Sequence, residues 1–231
     1  MDNAKKIAIA DQVIRNVKVC YDREQSFLQS VAIDSKTEGE IREAAGKLVE
    51  NILQDIINTI NSELPNTNLI SRVGSTDFLS KTIHYKGKEI IFDRIQVDRH
   101  VWAGNKRLCF IENKTYLDSY YYDRALADFR KITQSLAEHG QDPSNCKYIV
   151  FSGQNAASSK TLFTYEADFW NDTKHLTSDP NGLETRIFFF LKGKRSSQQP
   201  LYRVKHELDI ASIRNFVFYL LDILDQRSLL Q

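Results

Sequence analysis

Residues 91–115 read IFDRIQVDRHVWAGNKRLCFIENKT, and this stretch decides the fold. Ala103-Gly104-Asn105-Lys106 separates two strand-like runs, 95–102 and 107–114, so the spacing predicts a β-hairpin. Alternate residues of a strand share a face. Leu108 and Phe110 therefore lie on the same side as Glu112 and Lys114, and an apolar strand that belongs in a core ends in a carboxylate and an ammonium. Asp98 sits on the antiparallel partner. A turn centred between Gly104 and Asn105 brings it within about one residue of Glu112, where opposed Cβ atoms are roughly 5 Å apart. Two carboxylates that close repel each other unless a cation lies between them.

A hard divalent ion such as Mg²⁺ meets that demand, because it prefers carboxylate oxygens, a backbone carbonyl and retained waters. Lys114 then gains a role. Beside a metal-bound water it can orient the water, help remove its proton, and neutralise charge building on a phosphorus under attack. Asp98, Glu112 and Lys114 are thus a minimal apparatus for hydrolysing a phosphodiester, with Asp98 and Glu112 as the metal ligands.

The three residues, spaced over a hairpin, resemble the PD-(D/E)XK nucleases, the restriction-endonuclease-like superfamily. The resemblance covers about residues 35–153, and the helices expected before the sheet and after Lys114 agree with that family's core order. The family's proline before the first acid is absent, since Val97 stands there, which matches the looser form of the motif. The resemblance implies one or two Mg²⁺ ions and cleavage of DNA to leave 5′-phosphates, with Lys114 positioning the attacking water. Two other acid-x-Lys triplets, Asp34 to Lys36 and Asp172 to Lys174, lie in polar segments near caps or loops. Only the triplet at 112–114 closes an apolar strand with an acid across a hairpin; the alternative is an edge strand ending in a solvated ion pair.

Asp93 rivals Asp98 as the first acid, but parity turns it to the other face unless a bulge intervenes. His100 shares the face of Asp98 and is a candidate auxiliary base or substrate contact. Glu38 falls near the apolar side of a long helix and is a candidate ligand for a second metal. Tyr116, Tyr120, Tyr121 and Tyr122 could stack on bases or pack their rings on the sheet.

The whole chain has 231 residues, 42% hydrophobic and 26% charged, and a net charge of +1 from 31 basic and 30 acidic residues. That length fits one globular domain, 1–231, with its core at about 35–153. Near-neutral charge excludes a protein that coats nucleic acid, so positive charge for DNA must be local. It is local between Thr185 and His206, where six basic residues occur with no acidic one. Lys192, Lys194, Arg195, Arg203 and Lys205 supply phosphate contacts there, and Ser197, Gln198 and Gln199 can hydrogen-bond base edges. The loop at 72–77, RVGSTD, is a second DNA-facing candidate. Residues 154–231 are accordingly expected to supply DNA-contact strands or a loop, and a C-terminal helix.

No run approaches the ~18 to 20 apolar residues of a membrane helix, and charges interrupt any signal core in the first 25 residues. Cys20, Cys109 and Cys146 are odd in number and widely spaced, which favours a reducing cytoplasm of bacterial type over a disulfide framework or a zinc site. One helix or two are predicted over 4–33, where the apolar positions are only loosely periodic, and single helices from a capping box at Ser35 to Glu38 through Ile60, over 118–138, and over 210–230. Strands are predicted at 69–73, 83–85, 89–91, 146–153, 161–170 and 185–191. The order implies an α/β fold with a mixed central sheet flanked by helices. Together with the resemblance, it leads to a small Mg²⁺-dependent, site-specific endonuclease for double-stranded DNA, similar to type II restriction enzymes, acting as a homodimer on a palindromic site. A junction resolvase or repair nuclease of the same superfamily, or a DNA-binding module without catalysis, are the alternatives.

Overall fold

The computed structural model describes residues 1–34, 37–74, 81–92, 97–196 and 198–226. Two long helices come first, α1 (Asn3–Asp34) and α2 (Glu38–Glu63). Strands β1 (Leu69–Gly74), β2 (Lys81–Tyr85), β3 (Lys88–Phe92), β4 (Val97–Ala103) and β5 (Lys106–Leu117) follow. Helix α3 (Ser119–Glu138), strand β6 (Lys147–Asn155), helix α4 (Ser159–Thr173), strand β7 (Thr185–Phe189) and helix α5 (Ile210–Gln226) complete the order. The main sheet runs β1-β4-β5-β6-β7. Its β1, β4 and β5 are antiparallel, and β5, β6 and β7 parallel. This is an α/β fold with a mixed sheet flanked by helices, as the element order implies. β2 and β3 form a separate hairpin. Lys86 and Gly87 at its turn both have positive φ, 50° and 73°, the geometry that matches the twist of two-residue hairpins.

Strand alternation divides the core into two layers. Val101, Cys109, Ile111, Ile149 and Phe151 face α1, α2 and α5, whereas Phe110, Tyr148 and Val150 face Tyr122, Leu126 and Phe129 of α3 and Phe169 of α4. All three cysteines are buried. Helix α1 is one continuous helix, whose buried stripe is completed by Ala10, Cys20, Tyr21 and Gln25. Isoleucine and valine alone therefore read as only loosely periodic. Helix α2 starts two residues later than the Ser35 capping box implies: Thr37 is the N-cap and accepts from the Glu40 backbone N–H. Ser35 itself lies outside the described residues.

The strand expected at 161–170 is a helix. Threonine, phenylalanine, tyrosine and tryptophan favour strands on composition, but Leu162, Tyr165 and Phe169 recur at helical spacing and pack on the α3 layer. Ser158 caps the helix by accepting from the Thr161 backbone N–H at 3.1 Å. The C-terminal helix ends at Gln226, and residues 227–230 of its expected span lie outside the described residues.

One glycine is dictated by the strands that build the site. A Cβ on Gly153 of β6 would lie 2.3 Å from the Thr115 backbone oxygen of β5, and neither partner can move without shifting a central strand. Gly153→Ala is expected to lower stability by about 3 kcal/mol, read as a fall in the urea midpoint at unchanged m-value.

Candidate active site

The hairpin of β4 and β5 carries the three predicted residues, and an irregularity sets their register. Near the turn Ala103 pairs with Lys106 and Trp102 with Arg107, but beyond it Val101 pairs with Cys109, His100 with Phe110 and Arg99 with Ile111. Leu108 is the extra residue, a β-bulge. It is buried in the same layer as its neighbour Cys109. Without the bulge, Asp98 would oppose Ile111 and point away from Glu112, because a one-residue slip exchanges the two faces. With it, the register carried one step past Arg99 and Ile111 sets Asp98 opposite Glu112.

The side chains meet accordingly. Asp98 Oδ2 accepts from the Asn113 backbone N–H at 2.7 Å. Lys114 Nζ lies 3.2 Å from Glu112 Oε2 and 3.7 Å from Asp98 Oδ2, so one ammonium bridges two carboxylates. Side-chain exposure rises from 6% at Glu112 to 20% at Lys114 and 37% at Asp98. The cluster thus opens to solvent on the Asp98 side. Burial pushes the Glu112 carboxyl up to about 8, and the hydrogen bond and charge of Asp98 push the same way, with Lys114 only partly opposing. A buried carboxyl that resists ionisation beside a second carboxylate is a site short of positive charge.

The other expected residues are placed as follows. His100 is fully buried and packs edge-on against Phe110, with ring centroids 5.1 Å apart; it belongs to the core beneath the carboxylates, not to a substrate surface. Glu38 stands in the first turn of α2, exposed and paired with Arg42 at 2.8 Å, and both line a cleft of about 540 Å³ that also reaches Lys114. Asp93 lies outside the described residues. Among the described residues no three His, Cys, Asp or Glu side chains converge as a metal-holding group. Asp98 and Glu112 are the residues that could hold an ion here, and a pair of carboxylates suits one such as Mg²⁺ that takes one or two of them and keeps its waters.

The basic segment after β7 is less positive in space than in sequence. Lys192 pairs with Glu207 at 2.6 Å and Lys205 with Asp22 of α1 at 2.9 Å. Acids from beyond the segment meet two of its five expected phosphate contacts. Arg195 lies over the Tyr116 ring, 3.4 Å from the centroid, and lines the cleft. Arg203 lies 5.6 Å over Tyr202, Lys194 is exposed while its backbone forms a β-bridge with Asn155 of β6, and Gln198 and Gln199 are exposed. Ser197, like positions 75–77 of the RVGSTD loop, lies outside the described residues.

The tyrosine run splits. Tyr122 is a core residue and Tyr120 is 68% exposed, while Tyr116 and Tyr121, in edge contact at 5.3 Å, line the cleft. Gln154 and Asn113 of the same wall escaped the sequence reading; Asn113 carried a signal, since it separates Glu112 from Lys114 and so faces the other way. No protein-family model matches this chain, and no curated protein matches it closely enough to count as a relative.

Proposed function

We propose that this chain is a Mg²⁺-dependent phosphodiester hydrolase that cuts DNA, an endonuclease resembling the type II restriction enzymes. The observation that carries this reading is the facing pair Asp98 and Glu112, one of them buried and held up in pKa, with Lys114 Nζ within 4 Å of both. The order α2-β1-β4-β5-α3-β6, with β4 and β5 antiparallel and β5 and β6 parallel, supports it as well. It is the core order that the PD-(D/E)XK resemblance implies, so the restriction-endonuclease-like fold is part of the same proposal.

Asp98 and Glu112 would hold the ion. When bound, Mg²⁺ supplies a Lewis acid for a phosphoryl oxygen and a water of lowered pKa. The chain's own groups do the rest. The Asn113 N–H fixes the Asp98 carboxylate, and burial fixes Glu112, so neither reorganises during the reaction. Lys114, held beside both carboxylates, would offer its ammonium to the attacking water and to the charge that develops on the phosphate. Arg195, Lys194 and Arg203 offer charge to the DNA backbone. Double-stranded DNA as substrate, a homodimer matched to a palindromic site and a reducing cytoplasmic setting belong to this reading. The three buried cysteines support the last of these, and no helix of the described residues is long and apolar enough to cross a membrane.

The test is incubation of the purified chain with supercoiled plasmid, with and without Mg²⁺. Discrete linear fragments only with Mg²⁺ support a site-specific enzyme; a preference for branched DNA in parallel assays moves the reading to a resolvase or repair nuclease. No Mg²⁺-dependent cutting of either substrate overturns hydrolysis.

A further inference from the structure

Beside the carboxylates, and sharing Lys114 with them, lies the cleft of about 540 Å³. Its volume falls in the ~300–1,000 Å³ range of small-ligand sites, far too narrow for a duplex but suited to one nucleotide. Beside the Glu38–Arg42 ion pair and aliphatic side chains, its walls carry three kinds of group. Tyr116, Tyr121 and Tyr202 supply aromatic surface, Arg195 and Lys114 positive charge, and Asn113 an amide. That amide is unusual: its oxygen and its nitrogen are both shielded from solvent, and neither has a hydrogen-bond partner among the described residues. A buried polar group without a partner is costly, and in sequence this one separates Glu112 from Lys114, on the opposite face of β5.

The cleft is also built in advance. The segment that forms its outer wall is tied to the body of the protein by buried Gln25, whose Nε2 donates to Leu201 O at 2.7 Å, and by Tyr21, whose hydroxyl donates to His206 O at 3.0 Å. Gln154 at the end of β6 hydrogen-bonds His206 Nδ1 at 3.1 Å, and the other ring nitrogen meets Gln199 O at 3.0 Å. Arg195 is held on Tyr116. Aromatic faces beside cations in a fixed groove are what unpaired nucleotides use, because every base has a face to stack and every linkage a phosphate to neutralise.

We infer that this cleft receives a single unpaired nucleotide next to the scissile phosphate. The base stacks at Tyr121 and Tyr202, the Asn113 amide turns from its shielded position to hydrogen-bond the base edge, and Arg195 on Tyr116 holds a flanking phosphate. The inference rests on the hydrolase reading for the position of the scissile bond, and it narrows the substrate: DNA with an unpaired or extruded nucleotide at the cut is preferred over a fully paired duplex.

The experiment measures binding in EDTA by fluorescence anisotropy, so that no cutting is needed. Two labelled duplexes are compared, identical except that one adenine is either paired with thymine or placed opposite an abasic site. Wild type is expected to bind the second about tenfold more tightly, the order of effect one stacked base supplies. Tyr121→Ala is expected to bring the ratio near one, and Tyr121→Phe to keep it. Asn113→Ala is the check on folding: it removes two unpartnered polar atoms, so its melting temperature stays equal to or above wild type while the ratio falls severalfold. Equal affinity of wild type for the two duplexes, or a ratio unchanged in Asn113→Ala and Tyr121→Ala, overturns the inference. Failure of Mg²⁺-dependent plasmid cutting strikes the hydrolase reading and leaves this ratio to be judged separately.

Discussion

Lys114→Ala is expected to lower the rate of DNA cleavage at saturating Mg²⁺ by about 10³-fold, the usual effect of removing one preorganised donor aimed at developing charge, while DNA affinity measured in EDTA changes less than threefold, roughly the factor of one weak surface contact. The asymmetry follows from the geometry. Lys114 Nζ is engaged by Glu112 at 3.2 Å and Asp98 at 3.7 Å, so in the free protein it is a partner of the carboxylates more than a ligand for the DNA backbone. Its contribution to DNA arises when the scissile phosphate arrives. Loss of binding in a variant with native circular dichroism would assign Lys114 to substrate contact and remove it from the chemistry.

Glu112→Gln is expected to abolish cleavage and, at about pH 8 without divalent ions, to stabilise the protein by on the order of 2 kcal/mol. The carboxyl ionises near 4.5 in the unfolded chain and near 8 in the folded one, because burial and then Asp98 disfavour the charge. The folded state therefore binds the proton more tightly. Below the unfolded value both states are protonated and Glu112 costs nothing. As pH rises from about 4.5 to about 8 the unfolded chain gives up its proton first, and stability falls throughout that window. Glutamine stays neutral in both states, so the gain of the variant is small near pH 5 and largest near pH 8. Added Mg²⁺ should raise the wild-type melting temperature at pH 8 and leave the variant's unchanged. A variant no more stable than wild type at pH 8 would mean that the Glu112 carboxylate is already satisfied in the apo protein, and would take away the argument for a bound cation.

Both predictions concern residues that the sequence itself singles out. An acid-x-Lys triplet closing an apolar run, with another acid across a Gly-Asn turn, is a local pattern, and strand alternation is enough to read it. The same holds for α2 and α3, whose apolar residues recur at helical spacing, and for the Lys86-Gly87 hairpin. What alternation cannot supply is register. Counting from the turn alone leaves Asp98 opposite Ile111 and facing away from Glu112. Leu108, an apolar residue like its neighbours, gives no sign that it will be the bulge.

Helix α4 is hard to read from composition on a similar ground. Its residues favour strands by type, while the helical spacing of Leu162, Tyr165 and Phe169 and the layer formed by Phe129, Tyr148 and Phe169 make a helix the better way to bury them. The basic segment looked unopposed because Asp22 is 183 positions from Lys205 along the chain yet 2.9 Å from it in space. Residue chemistry and short-period patterning thus came from the sequence by itself: the strands and helices around the hairpin, and the identities of Asp98, Glu112 and Lys114. Tertiary packing alone decided that these three meet on one face and that a tyrosine-lined cleft opens beside them, because a one-residue bulge and contacts between distant segments leave no periodic trace in the chain.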